Sequence, residues 1–419
     1  MMYKQFYKAN LRLRSVGNST GPAKPPIKKA IKIGLMLGVL SIITTAVYLF
    51  FNTKIPLVSP ITNVTRFNFF AKKITPTKKQ VYGYLPYWNL KNYTPPEEIT
   101  DLLYFSLAIG ADGRILTNSN NEPDMGYTRL KSDEFLEIAN KLTVQKKRIH
   151  LTLIQFNGDD AYAFLNSDKA QTNLEEALDS VLLAYPFGGV NLDVELSGSG
   201  SAKLQPKYSA WVHRLRTHLN ARHRDMKLSI ATYASAGKGQ NIWDLKTLSA
   251  DVDNFIVMAY DFHRTSSPVA GPVAPLFGGV TYWDSDINSH LKDYLAQVPA
   301  NKVLLGIPFY GYEWQTTSRD AQSTTFPETG STATYKRVEE ILTDKDKLKV
   351  KENWNEAALS PYLTYESGGK IYVLYYDNPR SISYKLDYVN ELNLGGIAIW
   401  ALGYEGETRE LWEVIGGRV

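Results

Sequence analysis

The sequence predicts an α/β protein built as a (β/α)8 barrel of the TIM type, with a small α+β insertion between strands seven and eight and a transmembrane helix in front. Eight short apolar runs alternate with amphipathic stretches along the 419 residues, of which 44% are hydrophobic. Parallel strands covered by helices are near-continuous apolar runs, and eight of them close a barrel. A doubly wound open sheet is the alternative, but no GxGxxG motif follows any of the runs.

The eight predicted strands are separated by stretches with helical periodicity. In one of these stretches Trp211, Leu215 and Leu219 recur every four residues, which places them on one face of a helix. The predicted strands lie at residues 81–87, 102–108, 149–156, 189–195, 227–233, 254–260, 303–309 and 395–401.

The interval between strands seven and eight is longer than the others. It contains two apolar runs on either side of Ser367-Gly368-Gly369, a pattern typical of a β-hairpin. We therefore predict an insertion at 311–376 that overhangs one side of the barrel mouth, within a catalytic barrel that covers residues 81–419.

Residues 33–51 form an apolar segment of 19 residues, which as a helix nearly spans a bilayer core of about 30 Å. Four lysines precede it within ten residues, which favours a cytoplasmic N-terminus. We predict a basic cytoplasmic tail at 1–32, a signal anchor at 33–51, a linker at 52–80 and an extracellular or periplasmic barrel. The alternatives are a cleaved signal peptide, a buried core helix and a nucleic-acid-binding arm.

The positive charge of the chain lies in the N-terminal segment. Residues 1–80 hold 14 Lys and Arg and no acidic residue, whereas the remainder carries 33 basic and 42 acidic residues, a net charge of −9. This argues against a nucleic-acid partner for the body of the protein. Cysteine is absent, which excludes disulfides and thiolate chemistry. The six histidines form no HExxH motif, and His213 and His218 are five residues apart, so we expect neither a metal nor a cofactor.

Polar side chains alternate along the fourth predicted strand, FGGVNLDVE at 187–195. Asn191, Asp193 and Glu195 share one face, and Val190, Leu192 and Val194 share the other. Buried carboxylates are costly unless they are paired or functional, and active sites of barrels form at the C-terminal ends of strands. A raised pKa would suit Glu195 to general-acid catalysis. The pattern therefore predicts an active site at this strand end.

This strand resembles the DGxDxDxE signature of glycoside hydrolase family 18, the chitinase family. Four further segments resemble motifs of the same family in the same order along residues 81–415: VYGY at 81–84, MAYD at 258–261, GIPFYG at 306–311 and GGIAIW at 395–400. Each motif alone is weak, but five in register identify the chain as similar to this family.

The resemblance implies a role for each matching residue. Glu195 would protonate the glycosidic oxygen, Asp193 would bind the N–H of the substrate's 2-acetamido group, and Tyr260 would assist at the reacting sugar. The acetamido carbonyl would act as the nucleophile, so that the anomeric configuration is retained. The substrate-binding residues expected from the resemblance are Asn191, Asp261, Trp400, Tyr84 and Tyr310.

The sequence departs from the family pattern at three places. Gly188 and Asn191 stand where the signature has aspartates, and TLIQ at 152–155 stands where SxGG is usual. The resulting NxDxE pattern is similar to chitobiase-like and spore-cortex-lysin-like members. We expect Asn191 to remove one buried charge beneath Asp193, and the bulkier third strand to change the shape of the subsite.

These observations predict a retaining glycoside hydrolase that cleaves β-1,4-linked N-acetylglucosamine-containing glycans of the chitin or peptidoglycan type. A chitinase-like lectin that binds glycan without cleaving it is the alternative, and a purely structural scaffold is the third. The expected partners are the polysaccharide or oligosaccharide substrate and, through the N-terminal helix, a membrane. We expect the catalytic domain to be monomeric.

Overall fold

The structure is a computed structural model that describes residues 78–119, 122–196 and 200–419. These residues all belong to one compact unit, Ile55–Val419. The predicted basic tail, the predicted anchor at 33–51 and nearly all of the predicted linker lie outside the described residues.

The predicted membrane location is contradicted. Among the described residues, no helix is both long enough and apolar enough to cross a bilayer. The longest of them, Gln205–Arg222, buries Trp211, Leu215 and Leu219 on one face and carries Lys and Arg side chains elsewhere. Helices of this kind cover a barrel, because their single apolar face packs on the sheet while the polar face stays in water.

Eight parallel strands form a closed barrel, which confirms the predicted fold class. The order around the barrel is β1-β15-β9-β8-β7-β6-β5-β2. Each observed strand agrees with its predicted counterpart to within two residues at either end. The barrel strands are β1 (Gln80–Pro86), β2 (Asp101–Ala108), β5 (Arg148–Gln155), β6 (Gly189–Val194), β7 (Lys227–Tyr233), β8 (Asn254–Met258), β9 (Val303–Pro308) and β15 (Gly396–Trp400).

The described helices pack mainly around the outside of the barrel. They are α1 (Met125–Leu130), α2 (Asp133–Val144), α3 (Gly158–Leu165), α4 (Asp168–Ala184), α5 (Gln205–Arg222), α6 (Leu245–Leu248), α7 (Ile287–Leu295), α8 (Tyr335–Thr343), α9 (Pro379–Glu391) and α10 (Glu410–Gly416). Short 3-10 turns occur at Tyr87–Asn89, Ser201–Leu204, Ala234–Lys238 and Ala300–Lys302.

Helix α2 shows how the local sequence determines these elements. The hydroxyl of Ser132 accepts a hydrogen bond from the backbone N–H of Phe135, which satisfies one of the free donors at the start of the helix. Phe135, Ile138 and Leu142 then lie on one buried face with helical spacing. Burial of each such side chain stabilises the fold by about 1.5–3 kcal/mol.

The insertion between β9 and β15 is a five-stranded antiparallel sheet that is joined to helix α8. Its strands are β10 (Tyr310–Thr316), β11 (Ser331–Thr334), β12 (Lys351–Asn355), β13 (Ser360–Ser367) and β14 (Lys370–Tyr375), in the order β11-β10-β14-β13-β12. The hairpin predicted here is confirmed: β13 and β14 pair across Gly368 and Gly369, whose φ values of +58° and +74° favour glycine. A separate small hairpin joins β3 (Asn118–Ser119) and β4 (Glu122–Pro123).

Side chains of alternating residues divide the barrel into an outer core and an inner one. Val190, Leu192 and Val194 of β6 are buried in the large core shared with the helices. A smaller cluster of apolar side chains packs separately, and Ile154 and Trp400 lie against it; its members are Tyr82, Tyr84, Leu103, Phe105, Ile256, Leu304 and Ala398. Two of the predicted substrate-binding residues belong here, since Tyr84 is a member of this smaller cluster and Trp400 packs against it.

Candidate active site

The C-terminal half of β6 and the residue that follows it place three polar side chains on the inner face of the barrel. Asn191 is fully buried, Asp193 is 5% exposed, and Glu195 is half-buried directly after the last residue of the strand. The exposure of these alternating positions therefore increases toward the C-terminal end of the barrel. A substrate that enters from that end reaches Glu195 first and Asp193 below it.

Asn191 is held by two neutral hydrogen bonds across the barrel. Its Nδ2 donates to the hydroxyl of Tyr84 at 3.1 Å, and its Oδ1 accepts from the hydroxyl of Ser229 at 2.9 Å. Its amide therefore joins three strands, β1, β6 and β7. In contrast, Oδ1 of Asp193 is buried and has no hydrogen-bond partner among the described residues.

The two carboxyl groups have an environment that favours their protonated forms. Burial raises the pKa of Asp193 well above its usual range, and repulsion by Glu195 raises it further. Burial also raises the pKa of Glu195, while a hydrogen bond from the hydroxyl of Tyr233 partly opposes this shift. Because the two groups interact, their protons belong to the pair. Glu195 can thus carry a proton at a pH where an exposed glutamate has lost it.

A cavity of about 350 Å³ opens above these carboxyl groups, within the usual size range of small-molecule sites. An adjoining pocket of about 620 Å³ shares five of its lining residues. The smaller cavity is lined by Tyr84, Phe105, Phe156, Asp193, Glu195, Ala231, Tyr233, Met258, Tyr260, Asp261, Arg264 and Trp400. Together the two spaces form a cleft that could hold more than one sugar unit.

One wall of the cavity is aromatic. The ring centroids of Trp400 and Phe105 are 4.7 Å apart and those of Trp400 and Tyr84 are 5.5 Å apart, with the rings tilted or edge to face. Phe156 lines the same cavity and remains 49% exposed. Aromatic faces of this kind pack against the apolar faces of sugar rings, and Trp400 is fixed in place by its two aromatic neighbours.

Asp261 also lines the cavity and is held by the insertion. The hydroxyls of Tyr310 and Tyr312, both on β10, donate to its Oδ1, with a distance of 2.8 Å for Tyr312. The backbone of Asp261 has a φ of +64°, which is uncommon for a residue other than glycine. These two hydrogen bonds fix the position of its side chain at the cavity.

The structure brings the predicted site residues together, but not all of them reach the cavity. Glu195 and Asp193 line it, as do four of the others: Tyr84, Tyr260, Asp261 and Trp400. Asn191 and Tyr310 are absent from its lining and lie one layer behind it, where they contact Tyr84 and Asp261, respectively.

Comparison with known proteins identifies the family of the chain. The model of the family described as Glycosyl hydrolases family 18 matches residues 80–405. The chain belongs to Glycosyl hydrolases family 18. This membership confirms the prediction that the protein is a glycosidase.

Relatives of the chain carry names that describe different activities. The chain is 29% identical to Chitinase A1 of Niallia circulans over 248 residues, which cover 53% of this chain and 35% of that protein. It is 22% identical to the Cortical fragment-lytic enzyme of Bacillus subtilis over 260 residues, which cover 59% of this chain and 54% of that enzyme. The chain thus matches about a third of the first relative and about half of the second.

The solved structure of the Ostrinia furnacalis Group IV chitinase in complex with allosamidin has the same fold. The two superpose with a TM-score of 0.69 at 20% sequence identity, covering 81% of this chain and 98% of the chitinase. At this identity the likeness concerns the fold alone.

The departures from the family 18 signature fall at distinct levels of the barrel. Gly188 precedes β6, and a Cβ atom there would meet the side chain of Arg148 at 3.0 Å, so this position lies at the N-terminal end of the barrel. On β5, Ile154 lies beside Asp193 in the strand register. Its apolar side chain packs against the inner cluster, and burial raises the pKa of Asp193.

The sequence patterns did not identify several residues that line the cavity. Tyr233 is the last residue of β7, lines the cavity with Glu195 and lowers the pKa of that carboxyl group. Its place at a C-terminal strand end could have identified it. Arg264 lines both parts of the cleft but follows β8 in an irregular loop. Its position depends on the loop conformation, for which the sequence offered no signal. Phe105 and Phe156 looked like ordinary apolar residues of strands.

Proposed function

We propose that this chain is a retaining glycoside hydrolase that cleaves β-1,4-linked N-acetylglucosamine-containing glycans by substrate-assisted catalysis. The observation that carries the proposal is the unpartnered Oδ1 of Asp193, buried at the base of the cavity beside Glu195. A buried acceptor without a partner costs about 1–3 kcal/mol. The N–H of a 2-acetamido group on the substrate would supply the missing donor.

In the first step, Glu195 donates its proton to the glycosidic oxygen as the bond from that oxygen to the anomeric carbon breaks. The carbonyl oxygen of the 2-acetamido group forms a new bond to the anomeric carbon on the opposite face, which gives an oxazolinium ion. The acetamido N–H donates to Asp193 and favours its ionised form, so that the proton shared by the pair lies on Glu195 and the negative charge of Asp193 stabilises the cation. The leaving alcohol departs with the proton from Glu195.

In the second step, the carboxylate of Glu195 removes a proton from water, and the water oxygen attacks the anomeric carbon. The oxazolinium ring opens and the acetamido group is restored. Two displacements at the same carbon retain the anomeric configuration. Glu195 is protonated again and ready for another cycle.

A nucleophile from the protein is less well supported by the geometry. Asp261 also lines the cavity, but its Oδ1 already accepts hydrogen bonds from Tyr310 and Tyr312. Hydrogen bonds to a carboxylate stabilise its charge and lower its tendency to attack carbon. Tyr260 remains a donor to the substrate, because burial raises the pKa of its hydroxyl well above the usual range.

The glycan itself is either of the chitin type or of the peptidoglycan type. The relatives named Chitinase A1 and Cortical fragment-lytic enzyme support both classes. Incubation of the full chain with N-acetylglucosamine oligomers and with purified peptidoglycan, followed by mass spectrometry of the products, distinguishes them. Proton NMR during early turnover should show the β-anomer first.

The same experiment tests the proposal as a whole. If neither glycan is cleaved, or if the α-anomer appears first, the proposed reaction is wrong. If the chain binds glycan without cleaving it, and Glu195→Gln behaves like the wild type, the protein is a lectin rather than a hydrolase. Cleavage of sugars that lack the 2-acetamido group would contradict substrate assistance.

A further inference from the structure

Three side chains with metal-binding atoms come together on the outer face of the barrel. Asp179 lies on α4, His218 lies near the C-terminal end of α5, and His223 directly follows α5. Nε2 of His218 is 2.8 Å from Oδ1 of Asp179, and Nε2 of His223 is 2.6 Å from the same oxygen. We call Asp179, His218 and His223 the helix-pair cluster.

The cluster lies at the end of the barrel opposite to the cavity. Helix α4 ends at Ala184, shortly before β6 begins, and α5 ends at Arg222, shortly before β7 begins. The C-terminal ends of these helices therefore approach the N-terminal ends of the strands, whereas the cavity lies at the C-terminal ends. Any ligand at the cluster acts on the fold and not on the reacting sugar.

Both histidine nitrogens already lie at nearly the distance from the carboxylate oxygen that a metal site requires. The three atoms all lie within 4.8 Å of one another. Ligands in a tetrahedral Zn²⁺ site with bond lengths of about 2.0–2.1 Å are separated by about 3.3 Å. Each histidine nitrogen would have to move by less than about 1 Å relative to the carboxylate. Such shifts are within the reach of side-chain rotation.

The cluster is shielded and rigidly mounted. The side chains of Asp179, His218 and His223 are 15%, 19% and 11% exposed, so water reaches the cluster without surrounding it. His223 is fixed at the helix end by its backbone N–H, which donates to the carbonyl oxygen of Leu219 at 2.7 Å. Ligands that are held by helices on two sides need little ordering when an ion binds.

We propose that the helix-pair cluster binds a divalent transition-metal ion of the Zn²⁺ class, with Asp179, His218 and His223 as ligands and water in the fourth position. Two imidazole nitrogens and one carboxylate oxygen suit Zn²⁺, Co²⁺ and Ni²⁺ and are a poor set for Mg²⁺ or Ca²⁺. When the ion binds, the proton on Nε2 of each histidine moves to Nδ1, which frees Nε2 as a ligand. It links α4 to α5 and stabilises the folded barrel.

One neighbouring charge opposes the ion. Nη2 of Arg222 lies 3.4 Å from Oδ2 of Asp179, and its side chain is 64% exposed. It can turn into solvent when the ion binds, but its positive charge weakens the affinity. Arg222→Gln should therefore bind the metal at least as tightly as the wild type does.

The test uses the full chain and ZnCl₂, with calorimetric titration and thermal unfolding as readouts. Zn²⁺ at about 100 times its dissociation constant should raise the melting temperature by roughly 3 °C, whereas Mg²⁺ should not. His218→Gln and His223→Gln should each weaken Zn²⁺ binding at least tenfold. His213→Gln is the matched control, because His213 is 70% exposed and pairs with Asp251 instead.

The result can also overturn the proposal. Absence of Zn²⁺ binding by the wild-type chain would show that the cluster is only a set of hydrogen bonds. The same conclusion follows if His218→Gln and His223→Gln bind Zn²⁺ as tightly as His213→Gln. Tetrahedral Co²⁺ gives strong visible absorption, so an octahedral Co²⁺ spectrum in the wild type would contradict the proposed ligand set. Glycan cleavage is not needed for any of these readouts.

Discussion

Replacement of Asp193 by asparagine should make the protein more stable and less active at once. The carboxyl group is 5% exposed, its Oδ1 lacks a partner among the described residues, and Glu195 repels its charge. Because burial raises the pKa of Asp193, the folded protein keeps a proton that the unfolded chain releases. Its stability therefore falls as the pH rises from the ordinary aspartate range toward the raised pKa in the fold.

The amide introduced by Asp193→Asn carries no charge at any pH, so this variant should be more stable than the wild type at neutral and alkaline pH. The difference should be about 1.4 kcal/mol for each pH unit by which the pKa of Asp193 in the fold exceeds that in the unfolded chain. The gain should disappear in acid, where Asp193 is protonated in both states. Thermal unfolding of the two proteins between about pH 4 and pH 8 measures this difference. Asp225→Asn is the matched control, since it removes the same charge from an exposed side chain and should show no such pattern.

The same variant should lose activity on acetamido substrates. A hydrogen bond to a charged acceptor contributes about 1.5–3 kcal/mol and one to a neutral acceptor about 0.5–1.5 kcal/mol. The difference of about 1–2 kcal/mol predicts a loss of roughly 5- to 30-fold in kcat, and loss of the charge that faces the oxazolinium ion adds to it. Wild-type kcat in Asp193→Asn, or an equal stability difference at every pH, would refute this reasoning.

Three further predictions concern the cavity. Glu195→Gln should lower kcat by at least about 10²-fold, as measured by initial rates on N-acetylglucosamine oligomers, and a smaller loss would exclude it as the general acid. Tyr233→Phe removes a donor that favours the ionised form of Glu195, so the pKa of Glu195 should rise and the alkaline limb of the kcat profile should move to higher pH; an unchanged or lower limb contradicts this role. Trp400→Ala in the Glu195→Gln background should weaken oligosaccharide affinity by about 30-fold, corresponding to about 2 kcal/mol, whereas unchanged calorimetric affinity would show that Trp400 serves only packing.

Much of the barrel could be predicted because its signals are local. A buried parallel strand is a short apolar run in any context, and the alternation of Asn191, Asp193 and Glu195 follows from strand geometry alone. The Gly368-Gly369 turn was likewise recognisable from two adjacent residues. Features of this kind need no knowledge of distant parts of the chain.

The features that the sequence did not reveal depend on contacts between distant segments. Arg264 reaches the cleft through an irregular loop, and Asp179 meets His218 from a different helix, 39 residues away. In the sequence His213 and His218 stand five residues apart and predict no metal site, because the contact of His218 with Asp179 joins two different helices. The prediction of a membrane location was wrong for the part of the chain that the structure describes, in which the helices are amphipathic covers of the barrel.

Because Tyr310 and Tyr312 donate hydrogen bonds to Asp261, the insertion cannot be replaced without affecting the cavity. Both tyrosines lie on β10, and Gly311 between them leaves no space for a larger residue, because a Cβ atom would approach the carbonyl oxygen of Tyr375 to 1.8 Å. If an insertion from a relative were grafted at a slightly different angle, the two tyrosines would move, and the carboxylate of Asp261 in the cavity would move with them. Engineers who wish to alter the outer sheet must keep this first strand and begin their changes beyond it.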